Sequence, residues 1–149
     1  MSSTPGTGDT TSVVDRLGIE TGMIVQEVGY DEDVDHSLRD LIEERIDDEM
    51  VDEDSDEVVD VVLLWFREDD GDLVDVLVDA IAPLADNGTI WLLTPKRGRA
   101  GYVEPSDIAE AAPTAGLSQT SLLPVGPDWT GARLVSRRAK SASERSPRR

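Results

Sequence analysis

The feature that most constrains this chain is an almost uninterrupted apolar run at residues 58–66, VVDVVLLWF, broken only by Asp60. The run is rich in β-branched residues, which is typical of a strand that is covered on both faces. Residues 89–94, TIWLLT, form a second run of the same character. Because strands covered on both faces occur in sheets that carry helices on each side, these runs predict a parallel α/β sheet.

The stretches around these runs predict helices. Residues 35–50 start at a potential cap, Asp35 or Ser37, and their apolar residues recur at helical spacing. Two further helices are predicted over residues 73–85 and over residues 105–115, where a proline suits the first helical position. Strands and helices therefore alternate along the chain.

Strands are also predicted near both ends of the folded region. Residues 23–28 form a short first strand, and residues 119–125 and 132–138 read as an antiparallel hairpin around a turn rich in glycine and proline. This order predicts one small, Rossmann-like α/β domain with a mostly parallel sheet that ends in an antiparallel hairpin. The tryptophans are expected in the core or the hairpin, and Trp129, in the turn, is expected to be the most exposed.

The two ends of the chain differ in composition from this domain, which we place at residues 13–138. Residues 1–12 are rich in Ser, Thr, Gly and Pro, and residues 139–149 are polar and basic, so both are predicted to be disordered. The N-terminus lacks the basic and apolar regions of a signal peptide, and no apolar run is long enough to span a bilayer. The chain has no cysteine, which suits a reducing compartment. These features predict a cytoplasmic protein without membrane association.

Charge is unevenly distributed along the chain. The net charge is -18, yet residues 27–79 hold 23 acids and 3 bases, whereas residues 96–149 hold 5 acids and 10 bases. Nucleic-acid binding requires clustered lysines and arginines, so the acidic half argues against it. The acidity serves either solubility or the binding of a protein partner with a basic surface.

The predicted helix at residues 35–50 is acidic opposite its apolar stripe, and we name this set the acidic helix face: Asp40, Glu43, Glu44 and Asp47. We predict that it docks the protein partner. Residues 47–49 are all acidic and fall at the helix C-terminus, where each carboxylate opposes the helix dipole at a cost of about 0.3–1 kcal/mol. Helix stability therefore does not explain them, whereas docking or selection for solubility would.

A second candidate site is the basic loop, which we define as Lys96, Arg97 and Arg99. It follows the carboxyl end of the predicted strand at residues 89–94, and open α/β sheets bind ligands at that edge. The loop is predicted to bind an anionic small molecule through a phosphate or carboxylate group. The alternatives are a solvated loop or an internal partner for the acidic surface. One internal anion would be a phosphorylated N-terminal threonine: Thr4, Thr7, Thr10 or Thr11.

No catalytic residue, metal site or cofactor is predicted. Residues 52–56 alternate carboxylates as an EF-hand loop does, but Glu57 stands at the glycine position and Leu63 at the final glutamate position. His36, the only histidine, lies among acids at a helix start without a nucleophile to activate. The acids within residues 69–72 are expected to end a strand and cap the next helix.

Two stretches of sequence resemble known families. Residues 73–93, with PLADNGTIWLLTP at 83–95, resemble the fourth helix and fifth strand of Rossmann-like class I methyltransferases, and the terminal hairpin is similar to their last two strands. More specifically, LLTPKRGRAGYVEPSDIAEAAPTAGL at 92–117 resembles an actinobacterial family of small proteins of unknown function, DUF3052. The first resemblance implies the fold, and the second carries no assigned activity.

The loop after the first strand departs from a working methyltransferase. A Rossmann cofactor loop needs several glycines so that its backbone can approach the ligand. Residues 29–33, GYDED, contain one glycine and three carboxylates, which would repel a phosphate or a cofactor carboxylate. We therefore predict a noncatalytic binding or regulatory protein with a degenerate Rossmann-like domain. The alternative is a small-molecule-dependent enzyme such as a divergent methyltransferase, which requires an open pocket between the carboxyl ends of the strands.

Overall fold

The computed structural model describes residues 13–136. Its strands are β1 (Val25–Val28), β2 (Val59–Trp65), β3 (Leu84–Pro95), β4 (Leu117–Pro124) and β5 (Trp129–Ser136). The helices between them are α1 (His36–Ile46), α2 (Leu73–Ile81) and α3 (Pro105–Thr114). The predictions of disorder for residues 1–12 and 139–149, and of threonine phosphorylation, concern residues outside this range.

The strands form one sheet in the order β1-β2-β3-β5-β4. β1, β2 and β3 are parallel, whereas β5 runs antiparallel to both of its neighbours, β3 and β4. The predicted fold class is confirmed: a Rossmann-like α/β domain whose mostly parallel sheet ends in an antiparallel hairpin. The predicted order of strands and helices is also correct.

A backbone bridge extends the sheet beyond β1. The Val51 N–H donates to the Val25 carbonyl at 2.9 Å, and the Val51 carbonyl accepts from the Glu27 N–H at 2.9 Å, on the side of β1 away from β2. After β1 the chain therefore pairs first with one edge of that strand, at Val51, and then with its opposite edge, as β2. Open α/β sheets bind ligands at the carboxyl ends of their strands where the strand order reverses in this way.

Helices cover both faces of the sheet. The apolar stripe of α1 packs on one face together with Leu63 and Trp65 of β2, whereas Leu64 of β2 faces α2 and α3 on the other. Alternate residues of β2 thus enter two separate cores. This arrangement explains why the strand reads as a continuous apolar run.

The start of α1 agrees with prediction and its end does not. The Asp35 side chain accepts from the Leu38 N–H at 3.0 Å, which confirms Asp35 as the cap. The helix ends at Asp47, whose backbone is left-handed with φ of 62° and whose N–H donates to Glu43. The prediction that the helix reaches Met50 was wrong, because the chain turns there to pair with the edge of β1.

The end of α2 was also predicted too late. Asp72 caps its start by accepting from the Val74 N–H at 2.9 Å, in agreement with the prediction for the acids at residues 69–72. The helix stops at Ile81 because Pro83 has no N–H to continue it. Residues 84–88, predicted to end the helix, instead begin β3. Within residues 13–136, no helix has the length and apolarity to cross a membrane.

The segment before β1 contributes to the core, which the sequence patterns did not predict. Residues 13–17 are helical, and Val14, Leu17 and Ile19 are buried against the α1 face of the sheet. The indole N–H of Trp91 donates to the Leu17 carbonyl at 2.9 Å and anchors the segment. The segment is too short to show a helical repeat, so periodicity could not reveal it.

Candidate functional site at the carboxyl edge of the sheet

The carboxyl ends of β1 and β2 meet at the reversal in strand order, and we call the space between them the inner crevice. β1 ends at Val28 and is followed by Gly29, whereas β2 ends at Trp65 and is followed by Phe66 and Arg67. This is the position at which open α/β sheets bind their ligands. A ligand at this position requires the inner crevice to be open.

The guanidinium group of Arg67 occupies the inner crevice. Its Nη1 donates to the carbonyl oxygens of Gly29 at 2.8 Å and Trp65 at 3.3 Å, one from each strand end. The same nitrogen contacts Asp70 Oδ2 at 3.2 Å, while Nε and Nη2 bind the two carboxylate oxygens of Asp33 at 3.1 and 2.5 Å. Only 11% of the Arg67 side chain is exposed. The space between the strand ends is therefore filled by the Arg67 side chain, which is held there by hydrogen bonds.

The hydrogen bonds of this cluster favour the charged forms of Asp33 and Arg67. The hydrogen bond from Arg67 lowers the pKa of Asp33 below its ordinary value, and the positive charge of Arg99 adds a smaller effect. Burial by itself lowers the pKa of Arg67, but hydrogen bonds to Asp33 and Asp70 raise that pKa above its ordinary value. Asp33 and Arg67 are consequently both charged at neutral pH and act as an ion pair instead of exchanging protons.

Two tryptophans enclose the ion pair. The Arg67 guanidinium lies 5.4 Å from the ring centroid of Trp129, whose indole N–H donates to the Asp33 carbonyl at 3.2 Å. The rings of Trp129 and Trp65 meet edge to face, 4.9 Å apart. Trp129 is 3% exposed, against 1% for Trp65 and for Trp91, so it is the most exposed of the three as predicted, yet it is buried in the core and does not lie at the surface. Its contacts with the buried cation and with Trp65 explain its position in the core.

The loop after β1 was predicted to disfavour an anionic cofactor group, and its geometry agrees. Gly29 has a left-handed backbone with φ of +82°, and a Cβ at this position would collide with the Trp65 carbonyl oxygen. The loop then presents Asp31, Glu32 and Asp33 in succession. With three carboxylates in this loop and Arg67 in the crevice, the residues present do not fit a cofactor carboxylate or phosphate between β1 and β2.

A second ion pair lies beside the first on the α1 face. Glu27 of β1 is 8% exposed, and its carboxylate accepts two hydrogen bonds from Arg39 of α1, at 2.6 and 2.9 Å. The indole N–H of Trp65 donates to the same carboxylate at 2.9 Å. The hydrogen bond to Glu27 raises the pKa of Arg39 above its ordinary value. The buried acid of β1 thus has its hydrogen-bonding capacity met by two neighbouring elements.

An open cleft of about 410 Å³ lies on the other side of β1, next to the segment around Val51. We call this space the outer cleft, and it is lined by Glu27, Gly29, Tyr30, Arg39, Asp52 and Glu53. Tyr30 is 53% exposed, and Glu53 Oε1 accepts from the Gly29 N–H at 3.2 Å. Within residues 13–136, no three His, Asp or Glu side chains are grouped to hold a metal ion. The acidic lining of the outer cleft suits a cation or hydroxyl groups.

The basic loop lies at the carboxyl end of β3, as predicted. Lys96 is partly buried, and Arg97 is exposed, with its guanidinium carbon 6.0 Å from the ring centroid of Tyr102. Arg99 forms an ion pair with Asp128 at 3.1 Å, and both side chains are about half exposed. One of the three predicted anion ligands is therefore bound to an acid of the same chain, which matches the internal-partner alternative for that residue.

The acidic helix face is mostly accessible. Asp40, Glu44 and Asp47 are exposed on α1, or at its C-terminal cap in the case of Asp47. Glu43 is half-buried, and its carboxylate accepts from the Met50 N–H at 3.1 Å, so it stabilises the turn after the helix. Three of the four predicted docking residues are thus free to contact a partner, and the fourth has a structural contact.

Sequence reasoning missed Arg67 and Glu27 as site residues. Each is a charged residue within or directly after an apolar strand, and buried charges in proteins are normally paired. That signal could have marked both positions. It could not have identified their partners Asp33 and Arg39, because those residues lie on different elements whose packing fixes the pairs.

Comparison with known proteins supports this description of the fold. The chain is 14% identical to a SAM-dependent methyltransferase from Aquifex aeolicus, with a TM-score of 0.54 over 85% of this chain and 88% of that one. It is 9% identical to a geranyl diphosphate methyltransferase solved in complex with SAM, with a TM-score of 0.60 over 87% and 84% of the two chains. At these identities the likeness extends to the fold alone.

Closer relatives are found among mycobacterial proteins. The chain is 54% identical over 126 residues to uncharacterized proteins of Mycobacterium tuberculosis (strain H37Rv) and Mycobacterium bovis, which covers 85% of this chain and 79% of each relative. Residues 14–138 match the family described as "Protein of unknown function (DUF3052)". The resemblance seen in residues 92–117 is therefore confirmed over almost the entire domain, and the chain belongs to the DUF3052 family.

Proposed function

We propose that this chain is a noncatalytic binding protein that keeps a methyltransferase-like fold and uses the acidic helix face to bind a protein partner with a basic surface. The observation that carries the proposal is the position of Arg67. Its side chain is 11% exposed and joins Gly29, Trp65, Asp33 and Asp70 across the inner crevice. Opening that space for a substrate would leave a buried cation without its partners, which is costly.

The partner surface is inferred from charge and exposure. Asp40 and Glu44 lie one turn apart on α1, Asp47 is the C-terminal cap of that helix, and all three are exposed. Asp47 lies where a carboxylate opposes the helix dipole, so stability of the helix does not favour it. A basic partner would favour all three carboxylates and would be steered toward them at long range.

The test is a charge-reversal experiment with a matched control. The variant Asp40→Lys/Glu44→Lys/Asp47→Lys leaves Glu43 in place because that residue binds the Met50 N–H. The control variant Asp75→Lys/Asp79→Lys/Glu110→Lys makes the same change in net charge at exposed positions on α2 and α3, on the opposite face of the sheet: Asp75, Asp79 and Glu110. Circular dichroism verifies that both variants fold.

Tagged wild-type protein and both variants are then used for capture from an actinobacterial lysate with quantitative mass spectrometry. We expect one or more basic proteins to be retained by the wild type and the control, and to fall at least tenfold with the helix variant. If every captured protein stays at wild-type level with the helix variant, or falls equally with the control, the acidic helix face is not the docking site.

The basic loop is proposed as a second contact, for an anionic group. Lys96 and Arg97 make no ion pair with an acid in the described range 13–136, whereas Arg99 is bound to Asp128. We expect inorganic phosphate to raise the melting temperature of the wild type through this loop, and the variant Lys96→Ala/Arg97→Ala/Arg99→Ala to lose that rise. An equal rise in both proteins would exclude the loop as an anion site.

A divergent methyltransferase is the second candidate function, and the outer cleft is what favours it. The cleft measures about 410 Å³ and lies beside the carboxyl end of β1, and Glu53 is exposed to it. In Rossmann-type sites an acid about 20 residues beyond the glycine loop binds a ribose hydroxyl, and Glu53 follows Gly29 at a comparable distance. This candidate requires S-adenosylmethionine to bind, which the first candidate excludes.

A further inference from the structure

Most arginines in the described part of the chain contact an acid. Four of those within residues 13–136 form ion pairs: Arg39, Arg45, Arg67 and Arg99. The other three arginines of this range form no ion pair with an acid of residues 13–136: Arg97 of the basic loop, Arg16 and Arg133. In a chain that has 32 acidic residues, Arg16 and Arg133, which lie outside the basic loop, call for another explanation.

Both arginines line the same space. A cavity of about 430 Å³, which we call the amino-edge cavity, lies at the amino ends of β2 and β3, at the opposite edge of the sheet from Arg67. Arg16 approaches it from the helical segment before β1, and Arg133 approaches it from β5. Arg133 is the register partner of Trp91 and therefore lies on the α1 face of the sheet. Two separate elements thus each contribute an arginine to the lining of one cavity.

The rest of the lining is amphipathic. Apolar side chains form one part of the wall: Leu17, Met23, Val61 and Ala85. Asn87 and Thr89, at the start of β3, add neutral polar groups. The cavity therefore offers apolar surface next to hydrogen-bond donors, the combination found in small-molecule sites.

Two acids, Asp60 and Asp86, also line the cavity, and their negative charge opposes the binding of an anion. Asp60 Oδ2 accepts the Ile24 N–H at 2.9 Å, so its carboxylate is bound to the backbone of the neighbouring strand. Asp86 is exposed, where solvent screens its charge. Arg133 donates to the Thr120 hydroxyl at 3.0 Å, a neutral contact that leaves its charge uncompensated. The arginines therefore remain the groups best placed to attract a ligand.

We propose that the amino-edge cavity binds a small organic anion, with its carboxylate or phosphate held by Arg16 and Arg133 and its apolar body against Leu17 and Met23. Arginine is the side chain best suited to hold such groups, because its planar guanidinium can donate two parallel hydrogen bonds. This site is independent of the acidic helix face and of the basic loop, which lies at the other edge of the sheet.

Isothermal titration with phenyl phosphate and with benzoate, at constant ionic strength, tests the proposal. We expect saturable binding of at least one of the two to the wild type, and no binding of phenol, which lacks the charge. The variant Arg16→Gln/Arg133→Gln should weaken binding at least tenfold, because it removes two charge-assisted contacts. The matched variant Ser106→Glu/Ala109→Glu, which makes the same change in net charge at two exposed positions of α3, should retain wild-type affinity.

Each other outcome would overturn the site. Absence of saturable binding of both anions at 10 mM would exclude it, as would undiminished affinity in Arg16→Gln/Arg133→Gln. A third variant, Arg97→Gln/Arg99→Gln, tests the basic loop, and loss of binding in it with undiminished affinity in Arg16→Gln/Arg133→Gln would transfer the anion to that loop. The melting temperatures of all three variants without ligand show whether a loss of binding reflects a loss of fold.

Discussion

The two edges of the sheet use arginine in opposite ways. At the carboxyl edge, Arg67 and Arg39 are bound by carboxylates, backbone carbonyls and aromatic rings within the chain. At the amino edge, Arg16 and Arg133 line a cavity without an ion-pair partner among residues 13–136. At the edge where this fold class binds ligands, the inner crevice is closed by internal contacts, whereas the cavity at the other edge is lined by two arginines without ion pairs.

This difference is what we expect if fold and function have separated in this chain, as proposed above. Open α/β sheets supply a ligand position at the carboxyl ends of their strands, but the side chains there decide whether it is used. Here those side chains form two ion pairs, Arg67 with Asp33 and Arg39 with Glu27. The carboxyl edge is therefore a source of stability, and the predictions below compare its residues with those of the amino edge.

The largest effect is expected at Arg67. Replacement by methionine should lower the free energy of unfolding by about 3 kcal/mol, because it removes the hydrogen bonds of a largely buried guanidinium to two backbone carbonyls and its ion pairs with Asp33 and Asp70. Urea denaturation measures the change. Arg97→Met, at an exposed position, is the control and should stay within about 0.5 kcal/mol of wild type. Equal effects of the two changes would show that the Arg67 contacts add nothing.

A somewhat smaller effect is expected at Glu27. The change Glu27→Gln should cost about 2 kcal/mol, because it removes the charge that binds Arg39 but keeps an acceptor for the Trp65 indole. Denaturation measures this loss, and the indole N–H resonance of Trp65 reports the remaining hydrogen bond. A variant as stable as wild type would contradict the assignment of Glu27 to a closed network.

The effect at Asp33 depends on pH. Its folded pKa is lowered by Arg67, so its contribution is complete above its unfolded pKa of about 4 and is lost as pH falls through the lower folded pKa. Because Asp33 is half exposed, Asp33→Asn should cost only about 1 kcal/mol at pH 7. The difference from wild type should shrink below about pH 4. A difference that is constant from pH 7 to pH 3 would contradict the ion pair.

The smallest effect is expected at the amino edge. Without ligand, Arg16→Gln/Arg133→Gln should change the free energy of unfolding by no more than about 0.5 kcal/mol, because no ion pair within residues 13–136 is broken. The same denaturation series measures it. A loss as large as that of Arg67→Met would remove the contrast between the two edges.

Local patterns were sufficient to predict much of the fold. The apolar run at residues 58–66 predicted a central strand, and Asp35 and Asp72 were recognisable as helix caps. Errors occurred where a distant contact decides the structure. Val51 pairs with β1, so α1 ends before the residue at which it was predicted to end. Trp129 is buried by its contacts with Arg67 and Trp65.

The candidate site was predictable in its position and not in its contents. The basic loop lies at the predicted edge, yet the groups that fill the inner crevice come from two other loops, one after β1 and one after β2. The pairing of Arg67 with Asp33 joins residues 34 positions apart, which no local pattern encodes. The position of each charged residue relative to the strands can be read from the sequence, but only the packing of the sheet determines which charged residues form ion pairs.

The central claim, that the carboxyl edge does not bind a methyltransferase cofactor, is tested most directly by isothermal titration of S-adenosylmethionine into the wild-type chain. Molecules with this fold that use the cofactor must admit it at the carboxyl edge. We predict no saturable heat at cofactor concentrations up to 1 mM. Saturable binding in the micromolar range would contradict this claim and favour the methyltransferase candidate, which uses the outer cleft.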